Sequence, residues 1–305
     1  MSESNKRNFI VHGSILAIAG ILVRIIGMLY RIPVVNIIGS EGNGIYGAAF
    51  NIYNIMLVLS SYGLPMAVSK LVSARFTKKR YKSAAKVLRC SLMVAVCTGG
   101  IAALLVFFGA SFIENVIYGG GLPGLAVPLR ILAPTIFLVA ILGVIRGFFQ
   151  GQSTMIPTAV SQILEQIVNA IVSIAAGYGM MKAFASLPDV AAYGAAGSTL
   201  GTAMGALTAV LFMGFLYAVY TPTFNRLKRK DRHTENQSTG QICKIIIYTM
   251  IPIILGQTFY QISALIDDVM FSNIMVGRDI TKSISMDLGN FSSSYSLLIG
   301  IPQGV

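Results

Sequence analysis

Arg24 stands inside an apolar run, where a charge is expensive and usually turns toward a cavity or a partner. Gly20, Arg24, Gly27 and Arg31 follow one another at spacings of four, three and four, which places them on one helix face. The glycines leave room beside the guanidinium. Such a face suits a phosphate or carboxylate ligand, because a guanidinium pairs bidentately with either. The same arrangement also serves a structural ion pair, and Glu165 is a carboxylate suited to it. Arg31, at the end of the run, either extends the anion site or snorkels to the interface.

Gln162, Glu165, Gln166 and Asn169 form a second polar stripe, spaced three, one and three. It reads as a cavity wall, with Glu165 either partnering Arg24 or carrying a proton, or else as interhelical hydrogen bonding. Gln257, Gln261 and Asp268 share a third face, and the adjacent Asp267 points about 100° away. Carboxylates at that place suit a coupling Na+ or H+. The alternative is that the helix ends near Leu265 and both aspartates sit at the outer interface. Asn51 and Asn54, with Tyr46 and Tyr53, are candidates for the same cavity. The expected binding set is therefore Arg24, Arg31, Asn51, Asn54, Gln162, Glu165, Gln166 and Asn169, and the expected ion-coupling set is Asp267, Asp268 and Glu165. Gly197, Gly201 and Gly205 form a small-xxx-small series, read as close helix packing.

Nothing in the sequence makes a positive case for catalysis. There is no phosphate-cradling GxxxxGK[ST], no HExxH and no aspartate cluster that would hold magnesium in a cytoplasmic loop. Cys90, Cys97 and Cys243 lack CxxC spacing, and His12 and His233 stand far apart. Neither a disulfide framework nor a metal site follows, and no resident cofactor is expected.

These residues sit on elements that belong in a bilayer. Of 305 residues, 55% are hydrophobic and only 11% charged, with a mean hydropathy of +0.73. A soluble domain is roughly a quarter charged. The apolar residues come in runs near 8–30, 44–68, 87–108, 126–145, 157–181, 195–220 and 242–270, and an eighth begins near Phe291. A run of about 20 spans the hydrocarbon as a helix. The expected class is all-α, a polytopic transmembrane bundle. Basic residues collect in the segments 70–89 and 225–235 and at Lys6 and Arg7, which fall on one side if the helices alternate. Positive charge stays inside, so the N-terminus is expected in the cytoplasm and the chain in the cytoplasmic (inner) membrane, among membrane lipids. The net charge of +12 is accounted for by these loops and does not indicate nucleic acid.

The expected organisation is a six-helix lobe at 1–222, a basic cytoplasmic linker at 223–241 and the start of a second lobe at 242–305. Gly63-Leu64-Pro65 through Val68 and Gly300-Ile301-Pro302 through Val305 share a pattern, as repeated halves would. The eighth run is cut at Val305 without a polar cap, so the sequence is expected to be the N-terminal portion of a longer protein.

The stretch from Val23 to Pro33, followed by Ile38 to Gly47, resembles the opening of the polysaccharide biosynthesis/SpoVB family. Gly63 to Lys70, Arg146 to Gly151 and Ile301 to Val305 fit the same family. It belongs to the MOP superfamily, with the MurJ-type lipid II flippases and the MATE drug exporters. The resemblance implies a MATE/MurJ-like fold of two six-helix lobes around a central cavity. It also implies export of a lipid-linked sugar, a lipid II-like polyprenyl-pyrophosphate glycan, by alternating access. It gives Arg24, with Arg31 in support, as pyrophosphate ligands, and the region of Asp267 and Asp268 as a cation site. A cell-wall polymerase is a possible partner. Two rivals remain: a cation-coupled multidrug exporter of the MATE type, which predicts acidic and aromatic cavity residues, and a membrane glycan polymerase or ligase, which predicts catalytic groups in large outer loops.

Overall fold

A computed structural model of the protein describes residues 3–232, 237–278 and 284–291. Among them the regular structure is entirely helical: α1 (Glu3–Leu57), α2 (Leu64–Thr77), α3 (Tyr81–Phe112), α4 (Ala126–Gly151), α5 (Ile156–Ala183), α6 (Val190–Lys230), α7 (Thr239–Gly277) and α8 (Ile284–Phe291). Single π-helical turns follow α1 at Val58–Tyr62 and α3 at Ile113–Ile117. Six helical runs are long and apolar enough to cross a membrane.

The first of these, Ser14–Thr77, has 64 residues. Unbroken, it would extend about 96 Å, roughly three times the ~30 Å hydrocarbon core. It is broken at Gly39, whose φ of 70° and ψ of 177° leave the helical region. Glycine adopts that conformation without the clash a Cβ would bring. The guanidinium carbon of Arg31 lies 5.9 Å from the Tyr46 ring centroid. Along a straight helix those residues would be about 22 Å apart, so the two halves of α1 turn back toward each other at Gly39. The six runs therefore make seven passages, the number of complete apolar runs in the sequence. The connection expected between positions 30 and 44 shrinks to one residue.

Helices also extend beyond the apolar runs at the basic end. α3 starts at Tyr81, and a tight turn with Lys79 at φ 55° joins it to α2. α6 continues to Lys230, so the first eight residues of the expected linker are helical. Lys228, Arg229 and Lys230 occupy its last turn, where positive charge complements the helix dipole. The two basic segments meet in space: the Lys82 amide donates to Asp231 at 2.8 Å, and Lys86 Nζ donates to the Gln237 carbonyl. Most of the eighth run, with its Gly300–Val305 echo, lies outside the described residues.

The core has two stacked parts. One joins Ile45, Tyr53, Tyr118, Leu129, Ala192 and Ile284 at the Gly39 end. The other joins Leu64, Val87, Phe148, Met213, Phe224 and Ile246 toward the basic end. α6 packs on α5 through the predicted glycines. A Cβ on Gly205 would stand 2.6 Å from the Glu165 carbonyl oxygen, and one on Gly201 would stand 2.6 Å from that of Asn169. On Gly197 it would collide with Ala176. Outward faces are apolar, as lipid contact requires: Phe108 is 76% exposed and Phe259 77%.

Candidate functional site

A cavity of about 410 Å³ opens between the two halves of α1, α7 and α8. Arg31, Asn51, Asn54, Asp267 and Asp268 line it, with Tyr30, Tyr46 and Phe50. The turn at Gly39 creates the site, because it brings Arg31 opposite Tyr46. Asn51 and Asn54 then follow on the second half, each four residues after a lining residue, Gly47 and Phe50.

Asn51 Nδ2 donates to Asp268 Oδ2 at 2.6 Å. This bond fixes the depth of Asp268. Asn51 is twelve residues past the turn, about 18 Å along the helix, and Arg31 is eight before it, about 12 Å. With the turn at one interface, both lie within the hydrocarbon thickness. The helix does not end near Leu265, since α7 continues to Gly277 and carries both aspartates within it. Asp268 is partly buried and Asp267 exposed, both toward the same cavity. Gln257 and Gln261 do not line it.

The expected Arg24–Glu165 pair is corrected. Glu165 Oε2 accepts from Arg146 Nη2 at 2.7 Å, while Arg146 Nε donates to Ser161 Oγ at 2.9 Å. Arg24 is exposed and, among the described residues, has no hydrogen-bond or ion-pair partner. Gly27, between the two arginines on their face, abuts Gln166: a Cβ there would lie 3.0 Å from Gln166 Nε2. That contact takes the place of the ion pair.

The α5 stripe is mostly structural and does not line the Arg31–Asp268 cavity. Asn169 is buried, donates to the Tyr30 hydroxyl at 3.2 Å and accepts from Ser173 Oγ at 2.9 Å. Glu165 is held by Arg146 and does not line this cavity. Gln162 is half-buried without reaching the cavity. Tyr53 is a core residue, 5% exposed. Sequence reasoning missed Phe50, four residues before Asn54 on the same face, and Tyr30, which is adjacent to Arg31 and about 100° away from it. It also missed Arg146, a charge at the end of an apolar run that needed a partner. Among the described residues, no group of three or more His, Cys, Asp or Glu is arranged to hold a metal.

The family of polysaccharide biosynthesis proteins matches the chain over residues 10–305. The chain belongs to this family. It is 34% identical over 176 residues to the lipid II flippase MurJ of Bacillus subtilis (strain 168), covering 56% of this chain and 32% of that protein. It is 31% identical over 209 residues to stage V sporulation protein B of the same organism, covering 68% and 39%. An uncharacterized membrane protein, YabM, aligns at 27% over 96% of this chain and 53% of its own length. The chain thus spans between a third and about half of these relatives. The fold is that of solved MATE and MOP transporters. An inward-facing multidrug resistance MATE family transporter superposes with a TM-score of 0.66 at 16% identity, over 96% of this chain and 62% of that one. A MOP superfamily transporter from Pyrococcus furiosus gives 0.63 at 16% identity, over 95% and 64%.

Proposed function

We propose that this family member works, as part of a full-length protein, as a flippase for polyprenyl-pyrophosphate-linked glycan precursors of the lipid II kind. It moves them across the cytoplasmic membrane by alternating access. The observation that carries the reading is the polar cavity at membrane depth, with Arg31 facing the Asn51–Asp268 pair. The similarity to a lipid II flippase and to a sporulation protein supports it. Arg24 and Arg31 share a face and stand about 10 Å apart along the helix, a spacing that lets one hold the pyrophosphate as it leaves the other. Asn51 and Asn54 supply amide contacts to the glycan. Asp268 and Asp267 offer the hard oxygens that Na+ prefers, or a site for H+. The basic end lies in the cytoplasm with the N-terminus. The protein performs no covalent chemistry, and a cell-wall polymerase would take up the flipped product.

The test uses the full-length gene in bacteria depleted of their own flippase, beside Arg24→Ala and Arg31→Ala versions of equal abundance. Restored growth and lipid II translocation by the unaltered protein, with loss in both variants, is the expected result. Rescue by all three keeps the transport reading but makes both arginines dispensable. Failure of the stably inserted unaltered protein overturns the lipid II assignment.

One observation favours a second reading. Tyr30, Tyr46 and Phe50 share the cavity with two aspartates, the aromatic and acidic lining that suits an organic cation. Efflux of a cationic dye, driven by an ion gradient and lost in Asp268→Asn, would establish a drug exporter instead.

A further inference from the structure

A second cleft, of about 500 Å³, lies at the basic end where α3, α6 and α7 meet. Lys82, Lys86 and Arg89 of α3, Lys228 of α6 and Thr239 at the start of α7 line it, with Met93 below them. Among the described residues no carboxylate lines it. Asp231 is buried beside it and accepts from the Lys82 backbone amide rather than from its ammonium. Lys86 is anchored to the Gln237 carbonyl, and Lys228 stands 5.2 Å from the Phe224 ring centroid. Among the described residues, none of these four cations is paired with a carboxylate.

The charge sits on top of an apolar track. Lys82, Lys86 and Arg89 follow one another by four and three residues, and Met93, Val96, Leu104 and Phe107 continue on the same sector of α3. These four are between 43% and 58% exposed. From Arg89 to Phe107 is about 27 Å of helix, close to the thickness of the hydrocarbon core. A soluble anion would use the charged cleft alone. A ligand with a phosphodiester head and acyl chains would use the cleft and the track together.

We infer that the Lys82–Lys86–Arg89–Lys228 cleft is a binding site for an anionic phospholipid, its headgroup phosphate among the four cations and its chains along Met93, Val96 and Leu104. Basic pockets between transmembrane helices on the cytoplasmic side take such headgroups. The site joins α3 to α6 and to the first turn of α7, so a bound lipid clamps the basic end of the bundle. This inference stands on the cleft alone and holds whichever cargo the central cavity takes.

The experiment is native mass spectrometry of the purified full-length protein in detergent, with phosphatidylglycerol or phosphatidylcholine of identical chains added. Lys82 and Arg89 are exposed, and among the described residues their side chains make no hydrogen bond or ion pair, so Lys82→Gln/Arg89→Gln is the informative variant. Phosphatidylglycerol adducts should persist on the unaltered protein and weaken roughly thirtyfold on the variant, a factor of about five per lost charge. Phosphatidylcholine should bind weakly to both. Arg226→Gln/Arg229→Gln, which removes two charges from the same end outside the cleft, should retain the adducts and so separates the site from net charge. Equal adducts on the cleft variant, equal loss in the control variant, or displacement of phosphatidylglycerol by soluble glycerol phosphate would each overturn the inference.

Discussion

The Arg146–Glu165 pair makes a sharp energetic prediction, because the sequence offered a different partner for Glu165. The two groups lie 2.7 Å apart, with side chains 14% and 26% exposed. At an effective dielectric of about 20, opposite charges 4 Å apart attract by about 4 kcal/mol. Removing one partner of a buried pair typically costs about 3–5 kcal/mol, because the other is left uncompensated. Partial exposure puts Arg146→Met or Glu165→Leu at about 2–4 kcal/mol. The double variant should recover much of that loss, since an apolar pair of similar volume carries no stranded charge. The resulting coupling energy is about 3 kcal/mol or more. The matching cycle between Arg24 and Glu165 should give about zero, within the ~0.5 kcal/mol scatter of uncoupled sites. Denaturant titration of the full-length protein in micelles measures both cycles. An Arg24–Glu165 coupling as large as that of Arg146–Glu165 would refute the assignment and return Glu165 to the Arg24 face.

Two further substitutions test the packing and the cavity. Gly205→Val places a Cβ 2.6 Å from the Glu165 carbonyl oxygen, so α5 and α6 must separate. The expected loss is about 1–3 kcal/mol or more, read from the same titration, and an unchanged midpoint contradicts the close approach. Asn51→Leu keeps the volume near constant but removes the donor to Asp268, a bond to a charged group worth about 1.5–3 kcal/mol. Transport by the full-length protein should then lose its dependence on the Na+ or proton gradient while insertion continues. Retained gradient dependence removes Asn51 from the coupling site.

The passages were legible in the sequence because a bilayer imposes one length on every apolar run, and the seven complete runs appear as seven passages. The small-xxx-small series on α6 was legible for a similar reason: three glycines at one spacing have a packing explanation that needs no knowledge of the partner. Helix ends were less legible. Lysine, arginine and leucine favour helix, so α3 and α6 continue into segments whose charge marks them as loops. The pairing of charges was not legible at all. Periodicity fixes which residues share a face of one helix, but the rotation of that helix against its neighbours is set by packing. Gly27 lies against Gln166, Arg24 on the same face stays exposed, and Arg146 of α4 takes Glu165.

That outcome separates two uses of membrane-embedded polarity. On α5, Glu165 bonds to α4 and Asn169 reaches both α1 and α6. Ser173 donates to the Ser198 carbonyl of α6. These bonds tie neighbouring helices into one wall, and a wall is what a rocking transporter must keep rigid. The polar groups on the two halves of α1 and on α7 instead face a cavity, with Asn51–Asp268 as a hydrogen bond between those helices. A single bond across such a boundary can be exchanged for one to an ion or a cargo phosphate at little net cost, because the partner lost is replaced in kind. The connections of α5 to three neighbouring helices offer no such exchange. Cargo and ion should therefore act between α1 and α7, and substitutions on the α5 stripe should lower stability before they alter selectivity.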